Sequence, residues 1–148
     1  MINTSTTNQK RMPASVFLKK EVRSILLVGN SPIELNLLFE LLNSSKKSSY
    51  LTEVCFDVRD SLSLMNRMKP DVILLDDNLD AEDTSHFMKV LRVGSKTKHI
   101  KVILLKSSNW NLNIFDHMDD YVLKDTISST LLDRLITRNL TQKYYQIA

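Results

Sequence analysis

Five short apolar runs divide the chain, and each run ends abruptly at polar residues. Three of them are nearly alike: SILLVGN at 24–30, DVILLDD at 71–77 and KVILLKS at 101–107. Unbroken runs of Ile, Leu and Val are typical of strands that are buried on both faces of a parallel sheet. A shorter run, DYVLKD at 120–125, fits the same description. The fifth, LTEVCFDV at 51–58, alternates more and predicts an edge or near-edge strand.

The stretch after the first run predicts an amphipathic helix. It opens at Pro32, and proline is favoured at the first position of a helix. One face of this helix is apolar and is expected to pack on the sheet: Ile33, Leu37, Leu38 and Leu41. The other face is polar and is expected to face water: Glu34, Asn36 and Glu40.

Three further helices are predicted between and after the other runs. One covers 61–69 and is closed by Pro70, and another covers about 82–93. The inward residues of the latter are Phe87, Met88 and Leu91. The last helix covers about 127–140 and has one apolar side: Ile127, Leu131, Leu132, Leu135 and Ile136. This alternation predicts a doubly wound α/β domain, a five-stranded parallel sheet with helices on both faces, as in flavodoxin-like folds.

The length of 148 residues fits one domain with short tails. Residues 1–22 carry few periodic apolar positions and several basic residues, which predicts a flexible tail. The folded domain is expected over 23–138, and a second short tail over 139–148.

Composition excludes several classes of function. The chain has only two glycines, Gly29 and Gly94, whereas P-loops and dinucleotide-binding loops need several glycines close together. A single cysteine excludes a disulfide framework. No apolar run approaches the length of a membrane span, and no secretory stretch is evident, so we expect a cytoplasmic protein with no membrane partner. The net charge of +3 is too small to predict nucleic acid as a partner.

The carboxyl ends of parallel strands are where ligands bind in this class of fold. Four polar groups follow the predicted strands: Gly29-Asn30, Asp76-Asp77-Asn78, Lys106-Ser107 and Lys124-Asp125. Carboxylates can hold Mg²⁺, a lysine can neutralise phosphoryl oxygens, and a carboxylate can attack phosphorus to form an acyl phosphate. The pattern therefore predicts phosphoryl chemistry without a nucleotide-binding loop.

Over about residues 23–138 the chain resembles a response-regulator receiver domain (CheY-like). PDVILLD resembles the family's third strand, which implies that Asp76 accepts phosphate from a histidine kinase. DDYVLKD resembles the fifth strand, which implies that Lys124 binds the phosphate and that Tyr121 is the aromatic switch residue. The resemblance implies a signalling domain rather than an enzyme, with a sensor histidine kinase or another signalling protein as its partner.

The first strand departs from the family pattern. Gly29 and Asn30 stand where the family has an acidic pair that helps to hold Mg²⁺. The ligands that remain are Asp76, the amide oxygen of Asn30 and the backbone carbonyl near Asn78. Because hard cations depend on the charge of their ligands, we expect a weak Mg²⁺ site, if any, and no other cofactor.

Two acidic neighbours could compensate for the missing pair. Asp77 is expected to point to the opposite face of the sheet from Asp76, because successive strand residues alternate. Asp80 lies in the following loop and could bend back towards Asp76.

The fourth strand also departs from the pattern. Lys106 stands at the hydroxyl switch position, where it could pair permanently with Asp76, and a bulge could instead bring Ser107 into place. The following segment, 107–119, is rich in asparagine and short for a helix, which predicts a remodelled fourth helix.

Two functions remain open. The first is a stand-alone receiver in two-component phosphorelay signalling, with Asp76 as phosphoacceptor and an impaired Mg²⁺ site. The second is a phosphorylation-independent pseudo-receiver that acts as a protein–protein interaction module. In both cases output is expected through protein contact, with another chain or as a homodimer.

Overall fold

The computed structural model describes residues 21–107 and 117–147, with side chains described as far as Thr141. Five strands form one parallel sheet in the order β2-β1-β3-β4-β5: β1 (Glu21–Val28), β2 (Ser48–Cys55), β3 (Val72–Asp76), β4 (Lys101–Lys106) and β5 (Asp120–Leu123). The helices of the described residues are α1 (Pro32–Asn43), α2 (Val58–Leu64), α3 (Ala81–Val93) and α4 (Ser129–Ile147), with a short 3₁₀ helix at Lys124–Thr126. The predicted doubly wound sheet is confirmed, and β2 lies at its edge.

The sheet is buried on both faces, as the unbroken apolar runs predict. Successive residues of β1 alternate between two cores: Ile25 and Leu27 pack with α1 and α4, whereas Leu26 and Val28 pack with α2 and α3. The strands β3 and β4 behave in the same way. The predicted inward residues of α3 are buried, and those of the last helix are buried or partly buried in the other core.

The predicted apolar face of α1 is correct for Leu38 and Leu41, which pack in the core, and wrong for Ile33 and Leu37. The residues that pack on the sheet are Leu35, Leu38 and Leu42, whereas Ile33 is 76% exposed and Leu37 is 57% exposed. The helix carries leucine or isoleucine on more of its circumference than one face can bury, so the pattern alone allows either rotation. The result is a second apolar stripe that faces outward.

Several boundaries differ from the sequence prediction. β2 begins at Ser48, three residues before the predicted strand, and α2 begins at Val58 because the side chain of Asp57 caps it by accepting a hydrogen bond from the Asp60 amide. At the carboxyl end, α4 continues to Ile147, beyond the expected end at about 140. Asn139 and Leu140 belong to this helix and are buried or partly buried, so the packed region does not stop at 138.

Some predictions fall outside the described residues. Residues 1–20 of the tail predicted over 1–22 lie there, whereas residues 21 and 22 belong to β1. Most of the segment expected to form a remodelled fourth helix, 108–116, lies there as well. Within the described ranges, no helix is both long and apolar enough to cross a membrane.

Candidate functional site

Asp76 is the last residue of β3, at the point where the winding of the sheet reverses between β1 and β3. Its side chain is only 1% exposed. One carboxylate oxygen, Oδ1, accepts hydrogen bonds from the backbone amide of Asn78 at 2.7 Å and from Lys124 Nζ at 2.9 Å. The predicted convergence of Asp76 and Lys124 is therefore present in the structure.

Lys124 follows β5 directly and reaches more than one carboxylate. Its Nζ atom donates to Glu34 Oε1 at 3.1 Å and lies 3.8 Å from Asp77 Oδ1, in addition to its bond with Asp76. Glu34 was predicted to face water; its side chain is 43% exposed, but the prediction missed its ion pair with Lys124. Glu34 lies in the first turn of α1, and this helix starts at the same edge of the sheet. A single ammonium group thus forms ion pairs with three carboxylates.

Burial and neighbouring charges have opposite effects on the pKa values of Asp76 and Lys124. Burial raises the pKa of Asp76 above its ordinary value, and the hydrogen bonds from Lys124 and Asn78 only partly oppose this effect. Burial alone would lower the pKa of Lys124, but the carboxylates of Asp76 and Glu34 outweigh it and raise that pKa. Lys124 therefore stays charged, whereas Asp76 pays a desolvation cost for its negative charge.

The alternation rule predicted that Asp77 points to the opposite face of the sheet from Asp76, and this prediction is wrong. Because β3 ends at Asp76, Asp77 belongs to the turn that follows, where alternation no longer applies. Its carboxylate accepts hydrogen bonds from the Ser107 amide at 2.8 Å and from the Ser107 hydroxyl at 2.9 Å. Asp77 therefore ties the end of β3 to the end of β4.

Asp80 and Ser107 do not take the roles that were considered for them beside Asp76. Asp80 caps α3, where its carboxylate accepts a hydrogen bond from the Asp83 amide at 2.9 Å. The register between β3 and β4 is unbroken, so no bulge moves Ser107 towards Asp76. Ser107 binds Asp77 instead.

Lys106 is buried, with 3% of its surface exposed, and does not form the predicted ion pair with Asp76. Its ammonium group lies 4.9 Å from the centre of the Tyr121 ring, within the range of a cation–π interaction. The two residues lie close together because their strands, β4 and β5, are neighbours and Leu104 aligns with Tyr121. Tyr121 itself is 51% exposed.

The predicted metal ligands lie together but are poorly arranged to bind a cation. Asn30 Nδ2 donates a hydrogen bond to the Asn78 backbone oxygen at 3.2 Å, so the amide presents a donor to the carbonyl that would serve as a ligand. Asp76, the one carboxylate of the predicted set, is already paired with Lys124. In the described part of the chain, no group of three or more His, Cys, Asp or Glu side chains could hold a metal ion. This arrangement fits Mg²⁺ poorly, because protein sites for Mg²⁺ rely on one or two carboxylates and the one carboxylate of this set is already paired with Lys124.

Gly29 allows the close packing beside Asp76. A Cβ atom at this position would lie 3.0 Å from Leu35 Cδ2 and 3.2 Å from Asp76 Cβ, which is tighter than most Cβ contacts. A side chain in the place of Gly29 would require α1 or Asp76 to shift. The packing around position 29 therefore suits a residue without a side chain, in agreement with the absence of a carboxylate there.

The comparisons with known proteins identify the fold. No family model matches the chain, and no curated protein matches it. Among solved structures, the receiver domain of a signal-transduction histidine kinase from Syntrophus aciditrophicus is 23% identical, with a TM-score of 0.67 over 81% of this chain and 91% of that one. The chemotaxis response regulator CheY4 of Vibrio cholerae is 20% identical, with a TM-score of 0.67 over 80% and 99%.

A third similar structure is the receiver domain of a sensor histidine kinase from Pseudomonas aeruginosa, which has a magnesium ion coordinated in its active-site cleft. It is 21% identical, with a TM-score of 0.65 over 80% of this chain and 98% of that one. The chain therefore has the fold of receiver domains, and the resemblance drawn from the strand motifs is confirmed at the level of the fold.

Sequence reasoning missed two parts of the site, Glu34 and the pair formed by Asp77 and Ser107. A usable signal existed for Glu34, because it stands in the first turn of a helix that begins at the carboxyl edge of the sheet. The Asp77 contact depends on where β3 ends, which an apolar run fixes only to within a residue or two.

Proposed function

We propose that this chain is a receiver-type signalling domain, not an enzyme, in which the Lys124 ammonium group takes the place of a divalent cation beside Asp76. The observation that carries the proposal is the sharing of one ammonium group by three carboxylates: Asp76, Asp77 and Glu34. A carboxylate cluster that is already compensated by a lysine has less need of a metal ion. On this proposal, phosphorylation of Asp76 is impaired and the domain acts through protein contact.

The proposed partner is a sensor histidine kinase or another signalling protein in the cytoplasm. The fold likeness supports this choice, since two of the similar structures are receiver domains of histidine kinases. We propose neither nucleic acid nor membrane as a partner.

The proposed impairment follows from the requirements of phosphoryl transfer. An oxygen of Asp76 would form a bond to phosphorus while the bond from phosphorus to the donor nitrogen breaks and that nitrogen keeps the electron pair. Charge on the transferring group must be balanced throughout, because catalysis of this step is mainly positioning and electrostatics. Lys124 alone would supply that balance here, and its charge is divided among Glu34, Asp76 and Asp77.

A second candidate function is a conventional receiver in which Asp76 still accepts a phosphoryl group. The observation that favours it is the retained pair of Asp76 and Lys124 at 2.9 Å at the carboxyl edge of the sheet. The two candidates differ in one measurable property, which is the rate at which Asp76 becomes phosphorylated when Mg²⁺ is present.

The experiment is intact-mass spectrometry after incubation with a small phosphodonor, with and without Mg²⁺. Asp76→Asn is the control for the site, and a conventional receiver domain in the same tube is the control for the reagents. We expect no phosphoryl adduct on the folded chain, whereas the conventional receiver gains one. A Mg²⁺-dependent adduct that Asp76→Asn abolishes would overturn the proposal and support the conventional receiver.

A further inference from the structure

A cavity of about 510 Å³ lies between α1 and the turn that follows β5, and we call it the α1 cavity. Five apolar side chains line it: Leu37, Leu38, Leu41, Leu105 and Ile127. The core on this face of the sheet reaches the surface here, because Leu38 and Leu105 belong to that core and Leu37 is 57% exposed. Ligands of open α/β sheets bind at the carboxyl ends of the strands, in cavities of roughly 300–1,000 Å³.

The charged side chains of the α1 cavity leave a surplus of negative charge. Four carboxylates line it, whereas Lys124 is the one cation among the described residues of its lining. Two of these carboxylates, Glu34 and Asp76, form ion pairs with Lys124. The other two, Glu40 and Asp125, are exposed and form no ion pair with the described residues. The cavity therefore attracts a cation and repels an anion.

Asp76 offers a further hydrogen-bond acceptor. Its side chain is only 1% exposed, and both of its hydrogen bonds use Oδ1, so Oδ2 accepts none from the described part of the chain. Burial raises the pKa of Asp76, and additional positive charge nearby would reduce the cost of its ionised form. A ligand with positive charge and N–H donors would therefore complement groups that the chain itself leaves without a partner.

We propose that the α1 cavity binds a small organic cation, an amine or guanidine that carries an apolar group. The apolar group would lie against Leu38, Leu41 and Ile127, and the cationic group would lie near Glu40 and Asp125. A guanidinium group suits several carboxylates best, because its planar donors can bind two oxygen atoms at once. This inference does not depend on whether Asp76 is phosphorylated.

Other occupants match only part of the lining. A neutral apolar molecule would cover the leucine side chains but would desolvate Glu40 and Asp125 without giving them a partner. An inorganic cation would gain nothing from the apolar walls. A basic side chain of a protein partner is the main alternative, but a single unbranched stem would leave much of the volume of about 510 Å³ unfilled. The dependence of affinity on the apolar group therefore separates the two.

The experiment is a titration of the full ¹⁵N-labelled chain with hexylguanidinium, followed by two-dimensional NMR of the amide groups. We expect saturable shifts of the amide signals of Leu41, Lys124 and Ile127, with a dissociation constant of about 1 mM. Two matched probes each lack one half of the ligand: hexanol has no charge, and methylguanidinium has almost no apolar group. Each is expected to bind at least about tenfold more weakly than hexylguanidinium.

A pair of variants tests the charge of the cavity. Glu40→Gln with Asp125→Asn removes two exposed carboxylates and is expected to weaken hexylguanidinium binding about tenfold while the spectrum stays that of a folded chain. Glu53→Gln with Glu82→Gln makes the same change in net charge at exposed positions outside the cavity. This control is expected to leave the affinity unchanged.

Three results would overturn the proposal. The first is the absence of saturable shifts around the α1 cavity, and the second is a loss of affinity in Glu40→Gln with Asp125→Asn that is no larger than in the control. The third is equal affinity for methylguanidinium and hexylguanidinium, which would point instead to a basic side chain of a protein partner. Because the titration contains no phosphodonor and no Mg²⁺, its outcome is independent of the test of phosphorylation.

Discussion

The ammonium group of Lys124 lies 2.9 Å from a carboxylate oxygen of Asp76, and this ion pair joins the ends of β5 and β3. The same ammonium group also binds Glu34, which links the sheet to α1. In this arrangement the cation that neutralises the carboxylates is part of the chain. The stability of the fold and the chemistry of the site therefore depend on the same few charges.

Replacement of Asp76 by asparagine is expected to stabilise the fold. Burial raises the pKa of Asp76, so its ionised form is held at a cost that the neutral amide does not have. Asparagine can still accept the hydrogen bond from the Asn78 amide, and Lys124 keeps Glu34 as a partner. We expect the free energy of unfolding at neutral pH to rise by about 1 kcal/mol in urea denaturation.

Glu53→Gln, an exposed carboxylate on β2, is the control for the loss of a negative charge and is expected to change stability by less than about 0.5 kcal/mol. A fall in stability for Asp76→Asn would show that the ion pair with Lys124 contributes more than burial costs.

The difference in stability between Asp76→Asn and the wild-type chain is expected to increase as pH rises. Because the pKa of Asp76 is raised on folding, the folded state binds more protons than the unfolded state above the ordinary value of 3.8. The wild-type chain therefore loses stability relative to the variant as pH rises from 3.8 through the raised pKa. Below 3.8 the carboxyl group is protonated in both states and the difference between the two chains levels off at its smallest value. Thermal unfolding of both chains across this range tests the prediction, and a difference that grows towards acid pH would contradict it.

Loss of Lys124 is expected to be the most damaging single change at the site. Lys124→Met removes the positive charge but keeps an unbranched side chain, which leaves Asp76 buried without an ionic partner. Breaking a buried pair in this way typically costs about 3 kcal/mol. Lys98→Met, at an exposed position, is the matched control and is expected to have little effect.

The double variant Lys124→Met with Asp76→Asn tests the cause of that damage. Because the second substitution removes the unpaired charge, it is expected to recover most of the lost stability. If the double variant is as unstable as Lys124→Met alone, the damage comes from lost packing or from Glu34 and Asp77.

Lys106 and Tyr121 are expected to be coupled independently of Asp76. The ammonium group of Lys106 lies over the Tyr121 ring at 4.9 Å, and such contacts are worth about 0.5–1 kcal/mol when partly exposed. A double-mutant cycle with Lys106→Met and Tyr121→Leu, measured by urea denaturation, should return a coupling free energy in this range. Additive effects of the two substitutions would show that the contact contributes nothing to stability.

The sequence predicts the fold and the main pair of the site because both depend on simple rules. Unbroken apolar runs indicate a parallel sheet, and the polar residues that end those runs must meet at one edge, which brings Asp76 and Lys124 together. The exact rotation of α1 could not be predicted, because Leu38 belongs equally to the buried stripe with Leu35 and Leu42 and to the predicted stripe with Ile33, Leu37 and Leu41.

The sequence also does not determine which of two lysines pairs with Asp76. Lys106 ends β4 and Lys124 directly follows the neighbouring strand β5, so either could reach Asp76 on the basis of strand order alone. Packing decides between them, since Lys106 lies against Tyr121 and Lys124 lies in the cleft next to Glu34. Asp77 was misplaced for a related reason, because β3 ends one residue before it.

Asn30→Asp is expected to create a measurable site for Mg²⁺. The substitution replaces the amide that donates to the Asn78 carbonyl with a carboxylate, which frees that carbonyl as a ligand. The new carboxylate would then act with Asp76, whose bonds to Lys124 and to the Asn78 amide both use Oδ1. Gly29→Asp is the informative comparison, because a Cβ atom there meets Leu35 at 3.0 Å and Asp76 at 3.2 Å and is expected to destabilise the fold. In isothermal titration calorimetry we expect saturable Mg²⁺ binding, with a dissociation constant of about 1 mM, for Asn30→Asp and none for the wild-type chain. Wild-type binding as strong as that of the variant would mean that Asn30 and Lys124 do not close the site, and the proposal that Lys124 replaces the cation would then fail.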